Sequence, residues 1–307
     1  MRNLFVKHPG NPLLTCDDFP SDVMYVLNPG AIRTGEEYVL VCDAALGSTR
    51  IVPWVARSRD GITFTPDPEP ARWPEDTPEE SLAYDPRITR FGDDYILMYA
   101  AHHFTGENPS VGVVKTRDFR TFERIPQAPA PCPNRNAVLF PEKIGGRFVR
   151  FDRPMRNGET GAAGMCLSFS DDLMHWEGTV ELMQPRPCCW DSHKIGGAAV
   201  PLKTRAGWLT VYHGVDNYSC NNYIYRLGVM LLDLEDPSRI LARSTLPVLY
   251  PDRPYEFIGR TPNVVFSCNL LADGDGNLRT YYGAADTCIA LAESRVDKLL
   301  DFCIRHG

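Results

Sequence analysis

Between its apolar, strand-like runs the chain carries ionisable and amide side chains of the types used for acid catalysis and anion binding. Asn28 lies in Val26-Leu27-Asn28-Pro29-Gly30, and Asp85 and Arg87 in Ala83-Tyr84-Asp85-Pro86-Arg87-Ile88. Arg135 lies in Asn134-Arg135-Asn136-Ala137-Val138-Leu139-Phe140, and Arg153 in Phe151-Asp152-Arg153-Pro154. Farther on come Asp191 and Lys194 in Trp190-Asp191-Ser192-His193-Lys194-Ile195-Gly196, His213 in Tyr212-His213-Gly214, and Asp286 after Tyr281-Tyr282-Gly283-Ala284-Ala285. Each has an ordinary explanation when taken alone. Asp85 before a proline reads as a turn-capping carboxylate, Arg135 and Arg153 as sheet-edge residues or partners of Asp152, His213 as a satisfied core histidine, and Lys194 as a solvated side chain. Together, two arginines, a lysine and a histidine beside strands are too many cations to bury without an anion. An arginine fork suits phosphate oxygens, and a lysine adds a point charge.

The elements that must position these residues are strands. Tyr38-Val39-Leu40-Val41-Cys42, Tyr95-Ile96-Leu97-Met98-Tyr99, Arg147-Phe148-Val149-Arg150-Phe151 and Trp208-Leu209-Thr210-Val211-Tyr212 are short β-branched or aromatic runs, each preceded by a polar or glycine-bearing turn. Between them recurs [Ser/Thr]-x-Asp-x-x-x-aromatic: Ser58 to Phe64, Thr116 to Phe122 and Ser170 to Trp176, with a degenerate copy at Leu232 to Pro237. The central aspartates fall at 60, 118, 172 and 236. A hydroxyl or carboxylate closing a turn on backbone N–H groups explains the first positions, and the aromatic begins the next strand. Repeats of this length containing several strands mark a β-propeller, and 307 residues hold about five. The expected fold is therefore all-β, one five-bladed propeller domain over residues 1–307; a pair of β-sandwiches is the alternative. Residues 290–305 have helical spacing, with Leu291, Val296, Leu299, Leu300 and Cys303 on one face. This helix is expected to pack on the sheets or on a partner subunit, which leaves homo-oligomerisation open.

Composition narrows the function. Apolar residues make up 43% and charged residues 23%, as in an ordinary globular protein, and the net charge of −7 disfavours nucleic acid or an anionic membrane as partner. No apolar run is long enough to span a bilayer, and the N-terminus lacks the apolar core of a signal peptide, so a cytoplasmic location is expected. The ten cysteines are scattered without a C-x-x-C pair and read as reduced, mostly buried residues. His8, His102-His103, His175 and His193 have no spacing that favours a metal, and no cofactor is called for.

The runs Tyr84-Asp85-Pro86-Arg87, Asn134 to Ile144, Asp152-Arg153-Pro154, Lys194-Ile195-Gly196, Gly207 to Val215 and Tyr282 to Thr287 resemble glycoside hydrolase family 130, in the family's order and from about Asn28 to the C-terminal helix. That family comprises inverting β-mannoside phosphorylases and a smaller group of hydrolases. The resemblance implies a five-bladed propeller with an axial active site that takes a β-mannoside oligosaccharide and inorganic phosphate as co-substrates. It makes Asp85 the general acid and gives the phosphate to Arg135, Arg153, Lys194 and His213. Asn28 and Asp286 would hold the mannosyl residue, with Arg87 and Asp191 among the substrate-binding residues. The acid must carry its proton when substrate binds, a state that burial favours and Arg87 opposes. Phosphate is itself an anionic nucleophile, so the reaction needs no base. The implied reaction is phosphorolysis of β-1,4-linked mannosides to α-mannose 1-phosphate.

One departure stands out. The family often has an arginine after the first-blade strand, in a Tyr-Arg or Phe-Arg pair that contacts the sugar, whereas this chain has Cys42-Asp43, with Arg50 a turn farther on. Either Arg50 swings in to compensate and Asp43 caps the loop, or the linkage and acceptor differ. A hydrolase on the same fold and a non-catalytic glycan-binding propeller using Trp54, Trp190, Tyr218 and Tyr223 are the competing functions. The pair His102-His103 is either a contact to the acceptor sugar or solvent-facing.

Overall fold

The computed structural model describes residues 3–20, 22–47, 50–74, 82–102, 108–155, 164–217 and 222–307. Among the described residues the fold is all-β, with short helical segments only at Cys16–Asp18, Pro254–Phe257 and Val296–Arg305. The strands form antiparallel meanders. The first comprises Val23–Thr34, Glu37–Leu46 and Arg50–Ser58; the second Leu82–Phe91, Asp94–His102 and Ser110–Thr116. A single parallel bridge, Ile51 to Leu82, links these two into one sheet. The third is Asn134–Leu139, Phe148–Pro154, Met165–Ser170 and Glu177–Met183, and the fourth Lys194–Gly197, Gly207–Asn217, Tyr223–Leu232 and Ile240–Arg243. In the fifth, Val265–Ser267, Asn277–Ala284 and Cys288–Arg295 are joined by Val6–Lys7 from the other end of the chain.

Each meander buries both faces. In the strand Glu37–Leu46, Val39 and Val41 pack towards the second meander, while Leu40 and Cys42 pack towards the fifth. In Asn134–Leu139, Ala137 and Leu139 face the second meander and Val138 the fourth. This period-two division produces five apolar clusters joining meander one to two, two to three, three to four, four to five and five back to one. It also explains why the strands read as unbroken apolar runs rather than alternating ones. Full burial of each valine or leucine among them contributes about 1.5–3 kcal/mol.

The recurrent turns form as their chemistry requires. Asp60 Oδ1 accepts from Ile62 N and Thr63 N (both 2.8 Å), Asp118 Oδ1 from Arg120 N and Thr121 N (2.8 and 2.9 Å), and Asp172 Oδ1 from Met174 N and His175 N (2.8 and 2.9 Å). In the fourth copy the residue in this role is Asp233, not Asp236: its Oδ1 accepts from Glu235 N and Asp236 N. Asp273 makes a related turn in the fifth meander, accepting from Asp275 N and Asn277 N, where the hydroxyl and aromatic of the motif are missing.

The terminal helix is shorter than its spacing suggests. Cys288–Arg295 is a strand, and the helix spans only Val296–Arg305. The run Cys288 to Ala292 is buried on both faces between Asn277–Ala284 and Val6–Lys7, so its apolar residues satisfy a central strand as well as they would a helix. The helix lays Leu299 and Cys303 into the cluster between meanders four and five. None of the nine described cysteines is in a disulfide. No helix among the described residues is long and apolar enough to cross a membrane.

Lys7 secures the N-terminal strand. Its Nζ donates to Glu256 Oε2 and Asp252 Oδ1 (both 2.6 Å) and to the Tyr250 carbonyl (2.9 Å), and Glu256 is wholly buried. Removing one partner of a buried ion pair strands the other. Lys7→Met is expected to lower the unfolding free energy by about 3 kcal/mol, whereas Val6→Thr at the exposed neighbour should change it by less than about 0.5 kcal/mol. Chemical denaturation measures both, and equal small effects would contradict the pairing.

Candidate active site

A cavity of about 750 Å³ opens where the first strands of the meanders approach one another, and Asn28, Asp85, Arg135, Arg153, Lys194, His213 and Asp286 all line it. Seven sequence-selected residues from five meanders thus converge on one site. Three first strands present their site residues through the same device, a β-bulge with one residue in the left-handed region: Asn28 (φ 44°), Asp85 (φ 57°) and Asn136 (φ 58°). Asn and Asp tolerate that conformation best among non-glycine residues, and the bulge re-aims the side chain out of the ladder.

Asp85 is nearly fully buried and heavily constrained. Asn28 Nδ2 donates to its Oδ1 (2.8 Å), and its own backbone N–H donates to Asp43 Oδ2 (2.9 Å). Arg87 donates from Nη1 to the Asp85 carbonyl, and from Nη2 to Asn136 Oδ1 and the Gly197 carbonyl (both 3.2 Å). Its Nη1 also lies 3.9 Å from Asp85 Oδ2. Arg87 is wholly buried and stands outside the cavity lining, so it braces the bulges at Asp85 and Asn136 instead of reaching the cavity as a substrate-binding residue.

The cations are crowded. Arg135 and Arg153 are directly opposite each other across their strand pair, an arrangement that like charges disfavour. Burial, together with Arg135, lowers Arg153 to about 10. Burial, together with Arg153 and Arg135, lowers Lys194 to about 8. Among the described residues no carboxylate forms an ion pair with Arg153 or Lys194, and the buried Arg153 Nε has no hydrogen-bond partner. Asp152, the sequence neighbour of Arg153, is held by Arg150 (3.0 Å) and accepts from Asn134 Nδ2 (2.7 Å). Asn134 Oδ1 in turn accepts the backbone N–H of Arg153 (3.0 Å).

His213 is not one of the cations. Burial and the surrounding positive charge hold it well below the usual histidine range, so it is neutral. Its Nε2 lies 3.3 Å from both Asn136 Nδ2 and Arg153 Nη1, two donors, which assigns Nε2 as acceptor and puts the proton on Nδ1. His213 therefore orients Arg153. Gly196, its cross-strand partner, makes this approach possible: a Cβ there would come within 2.5 Å of the imidazole and 2.6 Å of the Asn136 amide.

Two other sequence-selected residues stand outside the cavity lining. Asp191 is buried in a separate network, accepting from Arg186 Nη2 (2.8 Å), Arg243 Nη2 (2.7 Å) and Tyr212 OH (3.0 Å). Arg50 is exposed at the start of its strand, and its neighbour Ile51 lines the cavity. Of the aromatic residues, Trp54 is a core residue whose Nε1 donates to the Asp67 carbonyl, and Trp190 stacks on Tyr212. Tyr223 lies beside Lys194, 5.0 Å from Nζ to ring centre. Tyr218, His103 and the side chain of His102 lie outside the described residues. Asn136, Tyr84, Tyr225, Arg260 and Thr261 line the cavity without having been singled out. For Asn136 the signal was legible: an amide inside an apolar strand, at the position that Asn28 and Asp85 hold in theirs. Burial raises Asp286 to about 6 against a hydrogen bond from Thr261. No group of histidine, cysteine and carboxylate residues among those described could hold a metal.

Residues 17–305 match the model of glycoside hydrolase family 130, described as beta-1,4-mannooligosaccharide phosphorylase. The chain belongs to this family. Among its relatives, a β-1,4-mannooligosaccharide phosphorylase of Ruminococcus albus is 36% identical over 257 residues, covering 81% of this chain and 75% of the relative. A β-1,2-mannobiose phosphorylase of Thermoanaerobacter sp. is 38% identical over 247 residues, covering 80% and 77%. The solved structure of a β-1,2-mannobiose phosphorylase from Listeria innocua, in complex with β-1,2-mannobiose, superposes with a TM-score of 0.87 at 27% identity, covering 97% of this chain and 99% of that one. The family model and these curated relatives are those of mannoside phosphorylases, and the enzyme class of the chain is glycoside phosphorylase.

The lowered Lys194 makes a pH prediction for this family 130 site. The lysine carries its charge below about pH 8 and loses it above. If it holds a phosphate dianion, the KM for phosphate should rise as pH passes 8, and Lys194→Arg should flatten that rise because arginine stays charged. Steady-state kinetics from pH 7 to 9.5 reads this directly. A limb that persists in Lys194→Arg would assign it to another group.

Proposed function

We propose that the chain catalyses the inverting phosphorolysis of β-mannosides, giving α-mannose 1-phosphate and a shortened sugar. Asp85 is the general acid. Arg135, Arg153 and Lys194 bind the phosphate, with His213 orienting Arg153, and Asn28 and Asp286 hold the mannosyl residue. The observation that carries this reading is the juxtaposition, in one cavity, of a nearly buried carboxyl with crowded cations of which Arg153 and Lys194 have no ion-pair partner among the described residues. A phosphate oxygen attacks C1, the C1–O bond breaks with inversion, and the proton of Asp85 reaches the departing glycosidic oxygen by way of the mannose 3-hydroxyl. Positioning and charge supply the catalysis, and no base is needed because the nucleophile is already an anion.

The five meanders are read as the blades of one propeller domain, a reading supported by the succession of clusters that returns from the fifth meander to the first and by the N-terminal strand in the fifth sheet. For the linkage we propose β-1,4, which the family description and the Ruminococcus albus relative support. A β-1,2 linkage is the second reading, favoured by the Thermoanaerobacter relative and the Listeria structure. Arg50 and Asp191 are not part of the proposed site.

Incubation with β-1,4- or β-1,2-mannobiose, with and without phosphate, separates these readings. Mannose 1-phosphate of α configuration, formed only with phosphate, is expected, along with a loss of at least about 10³-fold in kcat for Asp85→Asn. Free mannose released without phosphate would replace phosphorolysis with hydrolysis, and an active Asp85→Asn would remove Asp85 from the acid role.

A further inference from the structure

Asp43 lies directly behind the proposed acid and outside the cavity lining. It is wholly buried in the strand Glu37–Leu46, opposite Leu27 on one side and Pro53 on the other. Its Oδ2 accepts the backbone N–H of Asp85, and its Oδ1 has no hydrogen-bond partner. The exposed Arg50 does not approach it to form an ion pair. A carboxylate so placed needs either a cation or a proton. The cation at hand is Arg87, which already lies 3.9 Å from Asp85 Oδ2. Its charge also acts through space on Asp43, so one guanidinium faces two carboxyls.

We propose that Asp43 is a positioning residue for the acid: it fixes the left-handed backbone of Asp85 and shares with Asp85 the one negative charge that Arg87 can balance, so that the pair retains one proton. This rests on the reading of Asp85 as the acid and adds to it the device that keeps a proton available. When Asp85 carries the proton, Asp43 carries the charge, facing Arg87 and the Asp85 N–H. Two carboxyls whose charges act on each other titrate as a pair and not as independent groups.

Of the two carboxyls, Asp43 is the one that its surroundings drive to hold the proton at rest. Burial and the Asp85 carboxylate push the Asp43 carboxyl well up, against the pull of the Asp85 N–H and Arg87, with Asp286 adding to the rise. The other titratable groups facing Asp43 are Tyr84, Cys42 and Cys268, all raised by burial and so neutral at working pH. None of them competes with the pair for its single negative charge.

Asp43→Asn keeps an acceptor for the Asp85 N–H and removes the alternative home of the charge. Asp85 then faces Arg87 alone and ionises more readily. The alkaline limb of kcat/KM on a mannobiose should move about one pH unit towards acid, and kcat at pH 7 should fall about tenfold. An aryl β-mannoside with an activated leaving group such as 2,4-dinitrophenolate needs little proton donation, so its kcat should fall less than about twofold, and the KM for phosphate should not change. Asp43→Ala, which also frees the backbone, should slow both substrates. A thermal melt confirms that each variant is folded. A wild-type limb in Asp43→Asn, or equal losses on both substrates, would overturn the shared charge while an inactive Asp85→Asn leaves the acid in place; an active Asp85→Asn would overturn both.

Discussion

Arg135 and Arg153 oppose each other across one strand pair with Lys194 close by; Arg153 is buried and the other two are half-buried, which leaves water only partial access to screen them. The environment lowers Arg153 to about 10 and Lys194 to about 8, so the protein holds these charges at a cost in free energy. Much of the surrounding structure serves to hold them there. Asp152 points to the other face of the strand, where it pairs with Arg150; Asn134 anchors the Arg153 backbone; and the neutral His213, admitted by Gly196, accepts from the Arg153 fork without adding charge. A multiply charged anion placed among them would relieve the repulsion. On the proposed reading, phosphate is that anion.

On the opposite side of the chemistry, the carboxyl is held as firmly as the cations. Bulges at Asn28, Asp85 and Asn136 turn three first strands into presenting loops without interrupting the sheets, and Arg87 ties two of them together. The apolar clusters between neighbouring meanders make each bulge rigid, because a shift in one strand would disturb the packing on both of its faces. Precision at the site therefore derives from packing that lies well outside it.

Much of this was legible in the sequence, for identifiable reasons. Strands and turns were readable because Asp60, Asp118 and Asp172 each close a turn with the same two N–H bonds, which fixes local residue types. The fifth turn, at Asp273, was hidden because its hydroxyl and aromatic are missing. The end of the chain was misread because Cys288 to Ala292 is apolar on both faces, and such a run carries no period to distinguish strand from helix. At the site, charged residues inside apolar runs were found, but their roles depended on partners distant in the chain. Arg87 and Asp191 look alike in sequence to residues that line the cavity; only the fold shows that one braces bulges and the other belongs to the Arg186–Arg243 network. Asp43 was visible as a departure, and its meaning required the contact with the Asp85 backbone.

The central claim is that this cluster of cations is a phosphate site in its own right. Calorimetric titration of inorganic phosphate into the protein at pH 7, without sugar, tests it most directly. Saturable binding at one site, weakened at least about tenfold in a folded Arg153→Ala variant, is the predicted result. No binding, or the same affinity in both proteins, would contradict it.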